Sequence, residues 1–182
     1  MNVIVAITGA SGAIYARQCL ELLTLHPDVE RIALIVSDNA RGVISAEGVT
    51  LPRSERIECF GNDDMWSSVA SGSARWDAMI VVPASMGTVG RIASGVSQSL
   101  IERAADVLLK ERRRLVLVAR EAPYSLIHLR NMTTITEAGG IIIPASPSFY
   151  FKPQDIESLT LTISTRAVEL LGLTVSHQEW GK

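Results

Sequence analysis

Two loops of small and hydroxyl-bearing residues each follow an apolar run and precede a helical pattern. One ends in Gly9–Gly12, and the other is Pro83–Thr88. Loops of this kind let a ligand approach the backbone, and the N-terminus of the following helix offers unpaired N–H groups and a partial positive charge. The first loop therefore predicts a phosphate-bearing ligand at Gly9–Gly12. The second fits the same ligand, because Ser85 and Thr88 carry hydroxyls and Gly87 permits close approach.

The first loop departs from the pattern of dinucleotide-binding proteins. That pattern has a third glycine, three residues after the second, which allows close packing of the helix on the strand. Tyr15 occupies this position, three residues after Gly12. The loop therefore argues against a nicotinamide dinucleotide and leaves a mononucleotide as one interpretation. A tight turn with a serine helix cap is the other.

Three charged residues fall where predicted strands or helices end, and each has a structural and a functional interpretation. Glu47 ends a helix predicted from about Asn39, and it is either a solvated carboxylate or an acid of the site. Arg120 and Glu121 directly follow an apolar strand and precede Pro123. Because ligands bind at the carboxyl ends of strands in open α/β sheets, these two residues form either a structural ion pair or part of a reaction centre.

Four further residues have side chains suited to a phosphate group. Arg103 and Lys110 are seven residues apart and share one face of a predicted helix. Tyr150 lies in a proline-rich loop that could hold it over a site. Arg166 lies in the last predicted helix, where it either caps carbonyl groups or reaches a phosphate.

The composition indicates one globular domain. The chain has 182 residues, of which 47% are hydrophobic and 20% charged. The formal net charge of −2 argues against nucleic acid as a partner. Without a signal peptide or an apolar run long enough to span a bilayer, we expect a cytoplasmic protein with no membrane partner. Cys19 and Cys59 lack the spacing of metal ligands, so we expect two buried, reduced thiols and no metal.

Apolar runs rich in β-branched residues alternate with helical patterns along the chain. Such runs are typical of strands buried on both faces of a parallel sheet, so the pattern predicts an α/β fold. Thr50–Arg75 is less regular, and we expect there a short edge strand, a turn of helix and a long functional loop. The five predicted buried strands are Val3–Ile7, Arg31–Ser37, Asp77–Pro83, Leu115–Ala119 and Ile141–Ile143.

Seven segments in order carry a resemblance to a known family. They are TGASGAIYA, SDNARGVISAE, ASGS, PASMGT, IERAADVLLKERRRLVLVAREAP, IHLRNM and PASPSFYFKP. Together they resemble the flavin prenyltransferase family (UbiX-like), formerly described as phenylacrylic acid or polyprenyl-hydroxybenzoate decarboxylases. The resemblance extends from Asn2 to about Leu171, and its most specific part is RAADVLLKE followed by REAP and FYFKP.

The resemblance implies a fold, a reaction and a partner. The fold would be a flavodoxin-like or Rossmann-like, doubly wound parallel sheet in three α/β/α layers. It would form a single domain over residues 1–182 with a C-terminal tail from about 173, assembled as a homododecamer. The enzyme would join the dimethylallyl group of dimethylallyl monophosphate to N5 and C6 of reduced FMN without a metal. The product, prenylated FMN, would pass to a UbiD-type decarboxylase.

The resemblance also implies roles for individual residues. Two carboxylates, Glu47 and Glu121, match acid/base positions, Ser11 lies near N5, and Lys110 belongs with the catalytic group. The matched FMN-binding positions are Gly9, Ala10, Ser11, Ser37, Ser85, Met86, Gly87, Thr88 and Arg120. The matched prenyl-phosphate positions are Tyr150 and Arg166, with positive charge added by Lys110, Arg120 and Arg103.

These roles lead to a geometric expectation. We expect Lys110, Tyr150 and Arg166 to face the cleft between the two strand-end loops, where they would stabilise the leaving phosphate. Trp66 and Trp180 are candidates for an aromatic wall beside the developing allyl cation.

The chain also departs from the family pattern. Many relatives carry Lys or Asn where Gly87 stands, and Cys-Ser where Ala84 and Ser85 stand. The flavin contact at Gly87 would therefore involve the backbone alone. The alternative function is that of an FMN-dependent cysteine decarboxylase, which shares the loop architecture. That class should carry a catalytic histidine after the second strand and a PxMNxxMW clamp, and neither is present.

Overall fold

Six parallel strands form one sheet at the centre of the molecule. The computed structural model describes residues 1–176. The strands are β1 (Asn2–Ile7), β2 (Arg31–Val36), β3 (Ile57–Phe60), β4 (Ala78–Ala84), β5 (Arg114–Ala119) and β6 (Ile141–Pro144). Their order across the sheet is β3-β2-β1-β4-β5-β6. All five predicted strands are present, and β3 is the predicted edge strand.

Helices cover both faces of this sheet. They are α1 (Ala13–Leu25), α2 (Asp38–Ala46), α3 (Met86–Ala93), α4 (Leu100–Lys110), α5 (Leu126–Glu137) and α6 (Ile156–Leu170). The helices α1, α2 and α6 pack on one face, and α3, α4 and α5 pack on the other. The predicted doubly wound, three-layer α/β/α fold of a single domain is therefore confirmed, with the strand order of the Rossmann arrangement.

The core is divided by the sheet into two apolar layers. Val5 and Ile7 of β1 point into the layer beneath α1 and α6, while Ile4 and Ala6 point into the opposite layer. All four residues are at most 1% exposed. This alternation follows from the strand period of two, and it explains why β1 is apolar at every position from Val3 to Ile7 rather than at alternate ones.

The two cysteines have different environments. Cys19 of α1 is fully buried, and burial raises the pKa of its thiol to about 12. Cys59 is an exposed free thiol, so the prediction that both thiols are buried is wrong. The reason is its position on β3, a short edge strand whose central residues face solvent.

The irregular segment before β4 contains a single turn of 3₁₀-helix, Ser68–Ala70. Among residues 1–176, no helix combines the length and the apolar character needed to cross a bilayer. The predicted tail from about 173 is described only to residue 176, and Trp180 lies outside the described residues.

Candidate active site

The sheet reverses its winding between β1 and β4, and the carboxyl ends of these two strands border a crevice. In open α/β sheets, ligands bind at such a switch point. Thr8, directly after β1, links the two loops of the crevice. Its hydroxyl donates to the carbonyl of Pro83 and accepts from the backbone N–H of Ser85, both at 2.8 Å. The loops predicted to bind one ligand are thus held side by side.

Thr8→Val tests this link. The hydroxyl is buried, with Thr8 only 3% exposed, and its loss leaves the Ser85 N–H without an acceptor. We expect the free energy of unfolding to fall by about 2 kcal/mol, since a buried orphan donor costs its desolvation. Urea unfolding should show a lower midpoint at an unchanged slope. The exposed Thr50→Val is the matched control, and an equal loss in both variants would contradict the role of Thr8.

A carboxylate of the protein occupies the N-terminus of α1. Glu47, the C-cap of α2, accepts from the backbone N–H of Gly12 at 2.9 Å and from that of Ala13 at 2.7 Å. The N–H groups of Gly12 and Ala13 therefore already bind an anion, and the contact of a phosphate-bearing ligand with Gly9–Gly12 remains a prediction. The interpretation of Glu47 as a purely solvated carboxylate is wrong for the same reason.

The surroundings of Glu47 keep it ionised. Partial burial raises its pKa, but hydrogen bonds from Ser11, Gly12 and Ala13 and the positive charge of Arg120 together lower the pKa below its ordinary value. These contacts place Ser11, Glu47 and Arg120 in one group at the carboxyl edge of the sheet. An ionised carboxylate paired with a hydroxyl is suited to accepting a proton rather than to donating one.

The lowered pKa of Glu47 predicts a pH dependence of stability. Its contribution is fully present above the ordinary value of 4.5 and is lost as the pH falls through the lower folded value. We expect Glu47→Gln to lower the free energy of unfolding by under about 1 kcal/mol near neutral pH, because the group is exposed. The difference between the two proteins should shrink on acidification. A difference that stays constant from about pH 7 to about pH 3 would contradict this account.

A polar cavity of about 360 Å³ is lined in part by Gly9, the first residue of the loop Gly9–Gly12. The N-termini of α2, α3 and α4 border it, and Ser37 and Ser85 cap two of these helices by accepting from Ala40 N–H and Thr88 N–H. Of the predicted FMN-binding residues, the ones that line it are Gly9, Ser37, Ser85 and Thr88. Met86 begins α3 with Gly87 beside it, and Ala10 is buried directly after Gly9.

The donors around this cavity suit a phosphorylated, hydroxyl-rich ligand. The first N–H groups of α2 and α3 have no partner within their own helices, and they are joined by hydroxyl and amide side chains. Gly9 is required here, because a Cβ at this position would lie 2.6 Å from the Cβ of Asn39. Sequence reasoning missed several lining residues, among them Asn39, Asn62 and Arg91. For Arg91 a signal existed, since it lies one helical turn after Thr88.

Arg120 and Glu121 lie at the end of β5, next to the crevice. The backbone N–H of Arg120 donates to the carbonyl of Ala84 at 3.2 Å, which ties the ends of β5 and β4 together. The carboxylate of Glu121 accepts from the N–H of Ala122 at 3.1 Å and forms no ion pair with Arg120. The interpretation of Arg120 and Glu121 as a structural ion pair is therefore wrong, and both side chains remain candidate site residues.

The chain is similar to known proteins over most or all of its length. A family model described as Flavoprotein matches residues 1–166. The flavin prenyltransferase UbiX of Methanocaldococcus jannaschii is 40% identical over 185 residues, covering 100% of this chain and 99% of that protein. The chain belongs to the flavin prenyltransferase family. The resemblance seen in the sequence is thereby confirmed.

Two solved structures share the fold of this flavin prenyltransferase family member. AnUbiX (PadA1), in complex with FMN and dimethylallyl pyrophosphate, is 41% identical with a TM-score of 0.88, and the match covers 98% of each chain. The dodecameric FMN-dependent Ubix-like decarboxylase of Escherichia coli O157:H7 is 36% identical with a TM-score of 0.92, covering 100% of both chains. The similarity therefore includes both strand-end loops and all six helices.

Within one chain of this flavin prenyltransferase family member, the expected phosphate ligands do not meet at the crevice. Lys110 ends α4 just before β5 begins, so it lies at the amino edge of the sheet, where its ammonium group pairs with Glu111. Arg166 lies ten residues into α6, about 15 Å along the axis, and it pairs with Glu169 at 3.3 Å. Lys110 and Arg166 therefore do not face the cleft of their own chain, because both helices carry these residues away from the carboxyl edge.

Neither of the other two phosphate candidates lines the polar cavity. Tyr150 follows β6, which is three strands from β1, or about 14 Å across the sheet, and it is 70% exposed. Arg103 lies in the first turns of α4, where its guanidinium donates to the carbonyl of Ala70 and to Asp106. Their roles as phosphate ligands remain predictions.

Proposed function

We propose that this protein is a metal-independent flavin prenyltransferase. It transfers the dimethylallyl group of dimethylallyl monophosphate to N5 and C6 of reduced FMN, and it passes the prenylated FMN to a UbiD-type decarboxylase. The observation that carries this proposal is the crevice at the switch point, where a polar cavity adjoins the group of Ser11, Glu47 and Arg120. Free cysteines are consistent with action in the reducing cytoplasm.

FMN lies along this crevice, with one end in the polar cavity and the other end beside Ser11, Glu47 and Arg120. The N-termini of α2 and α3, with Ser37, Ser85 and Thr88, bind its polar tail. Gly9, Ala10, Met86 and Gly87 shape the loops against it, and Arg120 lies beside the ring. Bound FMN supplies the nucleophilic atoms of the reaction. This direction follows from the occupied N-terminus of α1, since Glu47 would repel a phosphate placed there.

The acid/base groups of the chain handle the proton. Glu47 is ionised, and its hydrogen bond with Ser11 fixes the direction of the Ser11 hydroxyl near N5. Formation of the N5–C bond breaks the allylic C–O bond, and the leaving phosphate takes the N5 proton. Ring closure then needs one proton added to the prenyl alkene, which the phosphate returns, and one removed from C6, which Glu121 at the end of β5 accepts. Holding the two reactants side by side supplies a further part of the rate enhancement.

The leaving phosphate is bound by cations from neighbouring copies of the chain. Lys110 and Arg166 are exposed at the end and on the side of the molecule, and they cannot reach their own crevice. Several large apolar residues near the start of α6 are also exposed, which is typical of a protein interface. They are Phe149, Tyr150 and Ile156, at 70%, 70% and 72% exposure. We therefore propose a homo-oligomer, a dodecamer like the Escherichia coli relative.

The cysteine decarboxylase alternative receives no support from the described histidines. His128 belongs to the capping box of α5, where its Nδ1 accepts from the backbone N–H of Ser125. His26 lies at the end of α1, close to the carbonyl of Thr174. Neither imidazole lines the polar cavity.

The decisive experiment is anaerobic incubation of the protein with reduced FMN and dimethylallyl monophosphate. Mass spectrometry of the released flavin should show one added C5 unit. A parallel reaction with the pyrophosphate distinguishes the two donors, and a reaction without donor is the control. Unaltered flavin mass with both donors, in a protein that binds FMN, would overturn the proposed reaction.

A further inference from the structure

A buried carboxylate holds an arginine at the polar cavity. Glu102 of α4 is 3% exposed, and it forms an ion pair with the guanidinium of Arg91 on α3. The second carboxylate oxygen of Glu102 accepts from the backbone N–H groups of Gln98 and Ser99, at 2.9 and 3.0 Å. A buried charge needs such partners to offset its desolvation. Arg91 is therefore fixed in position by a residue that itself does not face solvent.

The guanidinium retains hydrogen-bonding capacity toward the cavity. Its Nε donates to Glu102, and its Nη2 donates to the hydroxyl of Thr88 at 3.2 Å. Among residues 1–176, Nη1 has no hydrogen-bond partner, and the Arg91 side chain is 45% exposed. An arginine presents its donors in a rigid planar fork that matches the oxygens of a phosphate group.

The absence of a side chain at Gly87 leaves room for the guanidinium of Arg91 beside the N-terminus of α3. A Cβ at position 87 would lie 3.3 Å from Nη1 of Arg91, so the missing side chain leaves the space that the guanidinium borders. The charge of Arg91 and the first N–H groups of α3 therefore act on the same volume.

Two acids, Asp38 and Glu102, also line the cavity. Glu102 is neutralised by Arg91 and two N–H groups, and Asp38 is exposed to solvent in the first turn of α2.

We infer that Arg91 binds the phosphate group of FMN and makes this protein select FMN over riboflavin. The inference rests on the proposed function and deepens it. It names a binding residue that places the phosphate end of FMN at the N-termini of α2 and α3. Many relatives carry Lys or Asn where this chain has Gly87. In this chain the cation beside the second loop is Arg91, which lies one helical turn further along α3.

Binding measurements on Arg91→Met test the inference without any turnover. In anaerobic titrations, we expect the Kd of FMN to rise about tenfold or more, since a charge-assisted hydrogen bond to the phosphate is lost. The Kd of riboflavin should stay unchanged, because riboflavin has no phosphate. The affinity for FMN should also depend less on salt concentration than in the wild type.

Two further variants separate a phosphate contact from a loss of structure. Arg91→Met combined with Glu102→Gln removes the unpaired buried carboxylate while keeping a capping-box residue, and it should show the same loss of selectivity. Arg53→Met removes an exposed arginine outside the cavity, and it should bind both flavins as the wild type does.

The outcomes are distinct. Unchanged FMN affinity in both Arg91 variants, equal losses for FMN and riboflavin, or an equal loss in Arg53→Met would each overturn the role of Arg91. A wild type that binds neither flavin would overturn the proposed function itself. A wild type that binds both flavins equally would overturn the inference alone.

Discussion

Glu121→Gln should reduce the rate of flavin prenylation by about 10²- to 10⁴-fold, the usual contribution of a general base. The side chain follows Arg120 at the end of β5, and its one described hydrogen bond is to the N–H of the next residue. Glutamine keeps the size of the side chain and this hydrogen bond, but it cannot accept a proton from C6. Single-turnover assays that follow the flavin spectrum and mass would measure the loss.

The affinity for FMN distinguishes a proton-transfer role from a binding role. The Glu121→Gln variant should bind FMN as tightly as the wild type, and its reaction should stop before ring closure. Glu55→Gln removes an exposed carboxylate outside the crevice and is the matched control. Wild-type turnover in Glu121→Gln would refute the assignment of Glu121 as the base.

Arg166→Ala and Lys110→Ala should each raise the KM for the prenyl phosphate by about 10- to 100-fold, the worth of one charge-assisted hydrogen bond. The affinity for FMN should not change, because the proposed contacts of both residues are to the prenyl phosphate and not to the flavin. Arg53→Ala removes an exposed arginine outside the crevice and is the control for loss of positive charge. Unchanged kinetics in both variants would remove these residues from the site.

Mixed oligomers test whether neighbouring copies complete the site. Lys110→Ala and Glu121→Gln impair different contributors to each site. At a donor concentration well below the raised KM of Lys110→Ala, the two impaired variants should therefore complement each other when they are co-expressed. Random assembly gives about a quarter of the sites with both wild-type residues. Activity of that order in the mixture, and little in either variant alone, is the expected result. No recovery in a verified mixed oligomer would mean that one chain supplies both residues.

The sequence determined the fold and the position of the crevice. The apolar runs of β1, β2, β4 and β5 predict buried parallel strands, because a strand covered on both faces must be apolar at every position. The loops after β1 and β4 contain the small residues and hydroxyls that a crevice at the switch point requires. The motifs around Arg120 and Tyr150 identified the family.

Only the tertiary structure decided which group faces which. An anion is predicted at the N-terminus of α1 from local sequence, but the anion there is Glu47, which is 35 residues away from Gly12 in the chain. The pairing of Arg91 with Glu102 likewise depends on how α3 meets α4. Hydrophobic periodicity fixes which face of an element is buried, whereas contacts between polar side chains depend on distances across elements that no local pattern encodes.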